Sequence, residues 1–112
     1  MSRTTRRERL QATLESILGN RNVYFQPPAS ISLSYPCIVY SYDGDNERHA
    51  DDGTYLRHDR YSLTLITKNA FPDEIMKKID SMPYVRFDRH YEADNLHHFS
   101  YNLNLLERNP NG

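Results

Sequence analysis

Three side chains in the last third of the chain have the spacing of a metal site. Asp88, His90 and Glu92 alternate along one segment, so in a β-strand they share a face and offer oxygen and nitrogen ligands to a metal ion. The same alternation is typical of the solvent-exposed side of an antiparallel strand, and we favour that interpretation. His97 and His98 are strand neighbours that point to opposite faces, so they do not share one ion.

A second group of candidate ligands is acidic. A twelve-residue calcium loop that starts at Asp43 requires glycine at position 6 and glutamate at position 12, where this chain has Arg48 and Thr54. The calcium motif therefore fails, and residues 44–53 are predicted to form a solvated, flexible loop. The acidic residues of the segment are Asp43, Asp45, Glu47, Asp51 and Asp52.

No nucleophile is found beside a base. Cys37 is the one cysteine of the chain, and the apolar run Pro36 to Val39 around it predicts a small buried core residue. The sequence has no glycine-rich phosphate loop, no CxxC and no GxSxG. We therefore predict a protein without catalytic residues, metal or cofactor.

The element that opens the chain is a helix. Thr5 and Glu8 have the spacing of a capping box, and Gly19 supplies the residue that ends the helix. The opposite side, which includes Arg6 and Arg9, is predicted to face solvent. The apolar stripe consists of Leu10, Leu14, Ile17 and Leu18.

Strands are predicted over residues 35–43 and 55–68, after an irregular connection in which Pro27 and Pro28 exclude a helix or a central strand. A second helix is predicted over residues 69–82. Two charge pairs at i,i+4 spacing support this helix, namely Asp73 with Lys77 and Glu74 with Lys78.

Two further segments with side chains of alternating character flank a turn at residues 93–95 and are predicted to form a β-hairpin. The predicted fold class is α+β, with a four-stranded antiparallel sheet, two helices on one face and the order αββαββ. Residues 1–107 form one domain, and residues 108–112 are predicted to be a frayed tail.

Composition limits the function classes. The chain has 112 residues, of which 38% are hydrophobic even when nine tyrosines are included, against roughly 45–50% in average globular usage. A small core of this kind benefits from a partner that covers more apolar surface. The net charge of −1 argues against a dedicated nucleic-acid binder, and no apolar run is long enough to cross a membrane.

An RNA-binding module is the alternative that the aromatic residues suggest. Tyrosines and phenylalanines on a four-stranded sheet can stack on bases. Leu63 and Val85 lie at every second position from these aromatic residues and therefore on the same face of the sheet. This predicts that the face lies under the helices instead. The aromatic residues in question are Tyr61, Phe87, Tyr91, Phe99 and Tyr101.

Three stretches together resemble the small tail completion proteins of long-tailed bacteriophages. They are residues 20–28 (NRNVYFQPP), 35–40 (YPCIVY) and 87–96 (FDRHYEADNL), in this order and behind a short helix. The similarity spans nearly the whole chain. These are tail-terminator or head-to-tail joining proteins with a small α+β domain and an antiparallel sheet, and a sibling neck or head-completion protein is the alternative within the same class.

The resemblance implies a structural role. Such a protein forms a ring, commonly a hexamer, on the last ring of the tail tube protein, stops tube growth and offers a docking surface to the head connector. It is located in the virion tail or neck, and in the host cytoplasm during assembly. DNA only passes through the channel, and no membrane takes part. A small metal-dependent nuclease and an RNA-binding module remain the rival functions.

Two surfaces are hypothesised to make the contacts. The acidic segment from Asp43 to Asp52 reaches a neighbouring subunit or borders the channel, where negative charge keeps DNA from sticking. The basic start of the first helix faces an acidic partner surface. The residues of this helix start are Arg3, Arg6, Arg7 and Arg9.

Overall fold

A computed structural model describes residues 3–49 and 55–109. One helix precedes the strands and a second lies between the third and fourth strands, so the chain order is αβββαββ. The elements are α1 (Arg3–Leu18), β1 (Val23–Phe25), β2 (Cys37–His49), β3 (Tyr55–Thr67), α2 (Asp73–Asp80), β4 (Val85–Ala93) and β5 (Leu96–Asn109).

The sheet has five strands in the order β1-β2-β3-β5-β4, and it is mixed because β1 runs parallel to β2. The predicted four-stranded antiparallel sheet and the order αββαββ are therefore wrong. The strand that the prediction omitted is β1, which pairs Val23–Phe25 with residues 38–40 of β2. Three residues carry no readable periodicity, and only the return of the chain alongside β2 makes them a strand.

One sheet face, which we call the helix-packed face, holds the core. The predicted stripe of α1 lies on it, with Leu10, Leu14 and Leu18 at 8% exposure or less, and Ile79 of α2 joins the same cluster. Burial of such side chains is the main stabilising contribution in a domain this small. The strand residues of the cluster are Val23, Ile38, Tyr40, Tyr61, Leu63, Leu65, Phe99, Tyr101 and Leu103.

The opposite face, which we call the helix-free face, is partly covered by the connection between β1 and β2. Pro27, Pro28 and Ile31 lie over Val39 and Ile66 there and line a cavity of about 340 Å³. This connection is the reason that Ile66 is buried although no helix packs on it. Farther along the sheet the helix-free face is polar, with serine, threonine and asparagine side chains.

Strands β2 and β3 continue past the helices, where the sequence predicted a loop from residue 44. Gly44 has φ +114° and lies at a β-bulge, after which pairing with β3 continues from Asp45 to His49. The extents of the molecule, 50 × 26 × 22 Å, reflect this long ribbon. The local turn signals of the acidic segment were overridden by β3, which supplies its backbone partners and is itself paired with β5.

The helix boundaries also differ from the predictions. Helix α1 begins at Arg3, so Thr5 lies inside the helix and does not cap it, and α2 is shorter than predicted because Pro72 precedes its first turn. No salt bridge joins the predicted i,i+4 pairs of α2 within the described residues. Neither helix of the described structure has the length and apolar character to span a membrane. Strand β5 ends at Asn109, so Arg108 and Asn109 of the predicted tail belong to it.

Candidate interaction surface

The predicted metal ligands are separated by a β-bulge. Register along β4 shifts between Phe87 and Arg89, which leaves Asp88 as the extra residue. His90 and Glu92 stay on one face, where the imidazole nitrogens His90 Nε2 and His97 Nδ1 lie 3.0 Å apart and share a hydrogen bond. Among the residues that the structure describes, no group of three His, Cys, Asp or Glu side chains is arranged to hold a metal ion.

The same bulge relocates one of the predicted core aromatics. Tyr91 pairs with His98 and stacks on its ring at 4.7 Å on the helix-free face, so its predicted burial under the helices is wrong. Phe87 is 44% exposed, so its predicted burial is also wrong, whereas Tyr61, Phe99 and Tyr101 are buried as predicted. A base-stacking platform would need those rings exposed, and they lie in the core instead.

Cys37 is the first residue of β2 and is fully buried. Burial raises the pKa of its thiol from 9.0 to about 11, because the thiolate would lose its solvation. A nucleophilic cysteine needs a depressed pKa and access to solvent. The prediction that Cys37 is a buried core residue is confirmed.

The basic start of α1 divides into residues with different roles. Arg6 is 9% exposed, and its Nε donates to Asp59 Oδ2 at 2.9 Å, so the prediction that it faces solvent is wrong. Arg7 lies over the ring of Phe25, 4.9 Å from its centroid, and donates to the Tyr40 hydroxyl. Arg9 is exposed, and the backbone of Arg3 belongs to the helix. Among Arg6, Arg7 and Arg9, whose side chains the structure describes, Arg9 is the most exposed and the most available to a partner.

The acidic segment lies along β2 instead of in a loop. Asp43 is exposed, and its carboxylate accepts a hydrogen bond from the Ser62 hydroxyl. Asp45 and Glu47 take positions in the extended ribbon, paired with residues 59 and 57 of β3. Asp51 and Asp52 lie outside the described residues. No structural observation brings these acids to a neighbour or a channel, so that hypothesis stays a prediction.

Phe71 is the most exposed large apolar side chain of the described residues, at 78%. The segment before α2, residues 67–72, which we call the Phe71 loop, holds it in place. Asn69 Oδ1 accepts a hydrogen bond from the Phe71 amide at 3.0 Å, and Asn69 Nδ2 donates to the Phe71 carbonyl at 3.2 Å. The Thr67 hydroxyl donates to the Asn69 carbonyl. The backbone that presents the ring is therefore ordered by hydrogen bonds, while the ring itself faces solvent.

A groove lies at the other end of α2, where the chain turns into β4. We call it the α2–β4 groove, and its volume is about 360 Å³. Tyr84 on its wall is 64% exposed and has φ +61°, a left-handed conformation that is uncommon for an aromatic residue. Arg9 lies at the same groove. The apolar lining includes Leu10, Met82, Pro83, Tyr84 and Leu105.

The two edge strands of the sheet differ in how far their backbone groups are available to pair with another strand. At the β1 edge, the Val23 carbonyl accepts a hydrogen bond from Gln11 Nε2 at 3.0 Å, and Pro27 follows the strand closely. At the β4 edge, no strand lies outside the nine residues Val85–Ala93 in the described structure. The β4 edge therefore has backbone groups free for pairing, whereas β1 is short and protected.

Sequence reasoning missed the Phe71 loop and the α2–β4 groove. The available signal was an aromatic residue next to proline at each end of a short helix, in Phe71-Pro72 and Pro83-Tyr84. This signal does not distinguish an exposed ring from a buried one. No family model matches the chain, and no curated protein matches it.

Proposed function

We propose that this chain is a non-enzymatic bacteriophage assembly protein, a tail terminator. Several copies, commonly six, form a ring on the end of the tail tube, stop its growth and provide the docking surface for the head connector. The resemblance of residues 20–28, 35–40 and 87–96 to tail completion proteins supports this proposal, as does the small α+β domain.

The observation that carries the proposal is the exposure of large apolar side chains on a small domain. Phe71, Tyr84 and Phe87 are 78%, 64% and 44% exposed, and the first two lie at opposite ends of α2. Exposed apolar patches on a domain with a limited core favour contacts with other protein surfaces. A ring and a tail tube supply such surfaces.

The chemistry of the described residues agrees with a contact function. Cys37 is buried with a raised thiol pKa, His90 and His97 share a hydrogen bond, and His90 stacks on the ring of Phe99. The acidic positions of β2 provide a surface that repels DNA if the ribbon borders the channel. Electron microscopy of assembled rings tests this orientation, because the ribbon on the outer rim would contradict it.

The proposed function is tested by adding the purified chain to tail tubes that are growing in vitro. We expect tube length to stop increasing and the chain to be found at one tube end by electron microscopy. The Ile31→Ala variant, added at the same concentration, is the control. Ile31 is exposed on the other side of the sheet, so this variant is expected to stop tube growth as the wild-type chain does. Tubes that grow to the same length with and without the chain would contradict a terminator.

A test in virions separates the terminator from its neighbours in the neck. Particles assembled without this chain are expected to have tails of irregular length that do not attach to heads. Uniform tails that fail to attach would favour a sibling neck protein. Uniform tails firmly attached to heads would refute an assembly role of either kind.

A further inference from the structure

Phe71 and the α2–β4 groove lie at opposite ends of one helix. Helix α2 has eight residues, so it spans about 12 Å. Phe71 lies just before its first turn, and Met82, Pro83 and Tyr84 follow its last turn. The ring is therefore too far from the groove of its own chain to enter it, and it is 78% exposed instead.

The charges beside the two features are opposite. Asp73 and Glu74 follow Phe71 and are exposed, without a salt bridge among the described residues; Lys68 lines the same surface, so these three side chains carry a formal charge of −1. Arg9 is exposed at the groove, and it forms no salt bridge with any side chain that the structure describes. An acidic flank beside an apolar ring thus matches a basic flank beside an apolar groove.

We propose that Phe71 of one copy inserts into the α2–β4 groove of a second copy, with Glu74 of the first facing Arg9 of the second. A cavity of about 360 Å³ has room for a phenyl ring. Such a contact joins two different surfaces, so each copy uses both, and the copies form a ring if the rotation closes. This inference rests on the proposed ring and names the contact that holds it together.

The first test is the mass of the purified full chain in solution, measured by sedimentation as a function of concentration. Phe71→Ala is expected to weaken self-association about tenfold or more, since buried aromatic anchors dominate interface energies. The fold is expected to be unaffected, because the ring is exposed, and far-UV circular dichroism checks this. Tyr91→Ala is the matched control, an exposed aromatic on the helix-free face that leaves self-association unchanged.

A charge exchange tests the pairing directly. Arg9→Glu and Glu74→Arg are each expected to weaken self-association, and the two together in one chain restore it, because each contact again joins opposite charges. Lys77→Glu, on the exposed side of the same helix, is the control. Single variants that associate like the wild type, or a double variant that stays as weak as the singles, overturn the contact.

Cross-linking decides which surfaces meet. Chains carrying Asp73→Cys, beside Phe71, and Thr13→Cys, in the groove lining, keep the ring and the apolar wall; they are purified separately, mixed and treated with a short bis-maleimide, while the buried Cys37 stays unreactive. Cross-linked dimers are expected in the mixture and not in either variant alone. Dimers of the Asp73→Cys chain alone, or a wild-type chain that never associates, overturn the inference. The tube-capping experiment decides the proposed function separately, since a ring held by other contacts would still cap tubes.

Discussion

The ion pair between Arg6 and Asp59 provides a quantitative test of the fold. Arg6 reaches the sheet from α1, with Nε and Nη2 at 2.9 and 2.8 Å from Asp59 Oδ2, and the two side chains are 9% and 1% exposed. Removal of Arg6 takes away the guanidinium that contacts the buried Asp59 carboxylate at 2.8 and 2.9 Å. We expect Arg6→Met to lower the free energy of unfolding by about 3–5 kcal/mol.

The assay is equilibrium unfolding in urea followed by circular dichroism. With an m value of roughly 2 kcal/mol/M, the loss lowers the midpoint by about 1.5–2.5 M. The double variant Arg6→Met, Asp59→Leu removes both charges of the pair and is expected to recover most of the loss, because neither of its two charges then lies in the core. Arg9→Met is the matched control, since Arg9 is exposed in the same helix.

The reasoning is refuted if Arg6→Met costs less than about 1 kcal/mol, which is the range of a surface ion pair. It is also refuted if the double variant is less stable than the single one. The result bears on function as well. A charge reversal at Arg6 would unfold the protein, so experiments on partner binding by the helix start belong at Arg9.

Three further predictions follow from individual residues. Because Cys37 is buried and its thiol pKa is raised to about 11, we expect it to react with iodoacetamide at pH 8 far more slowly in the folded chain than in urea, and equal rates would contradict this. We also expect the free energy of unfolding to fall as pH rises above 9.0, because there the thiol ionises only in the unfolded chain. Gly44→Ala is expected to cost about 1–2 kcal/mol by thermal unfolding, because φ is +114°, whereas a neutral effect would argue against the bulge. Leu14→Ala, at 0% exposure, is expected to cost about 2–5 kcal/mol in urea, against little change for Ala12→Ser on the exposed side.

Local patterns predicted the elements with strong periodicity. The stripe of α1, the strand from Tyr55 and the hairpin around Asp94 and Asn95 were all readable, and both turn residues have the positive φ that a tight hairpin needs. The acidic segment misled the prediction because its turn-forming residues outweigh its weak alternation. The strand state there comes from pairing with residues of β3, which no local window contains.

The candidate surface was less predictable than the fold. A single extra residue at Asp88 moves Tyr91 to the opposite face of the sheet, and alternation alone cannot locate a bulge. Arg6 and Arg9 are both arginines on the predicted solvent-facing side of the first helix. Only the approach of Asp59 from β3 distinguishes the buried Arg6 from the exposed Arg9. Phe71 is exposed for a similar reason, since no element of the described chain packs on it.

The sequence by itself determined the α+β class, the amphipathic helices and the burial of Cys37, because these depend on side-chain periodicity within a few residues. Only the tertiary structure decided the parallel strand β1, the length of β2 and the face of each aromatic residue in β4. These features depend on contacts between segments that are far apart in the chain. The energy of such contacts comes from backbone pairing and packing that form together, so no single segment encodes them.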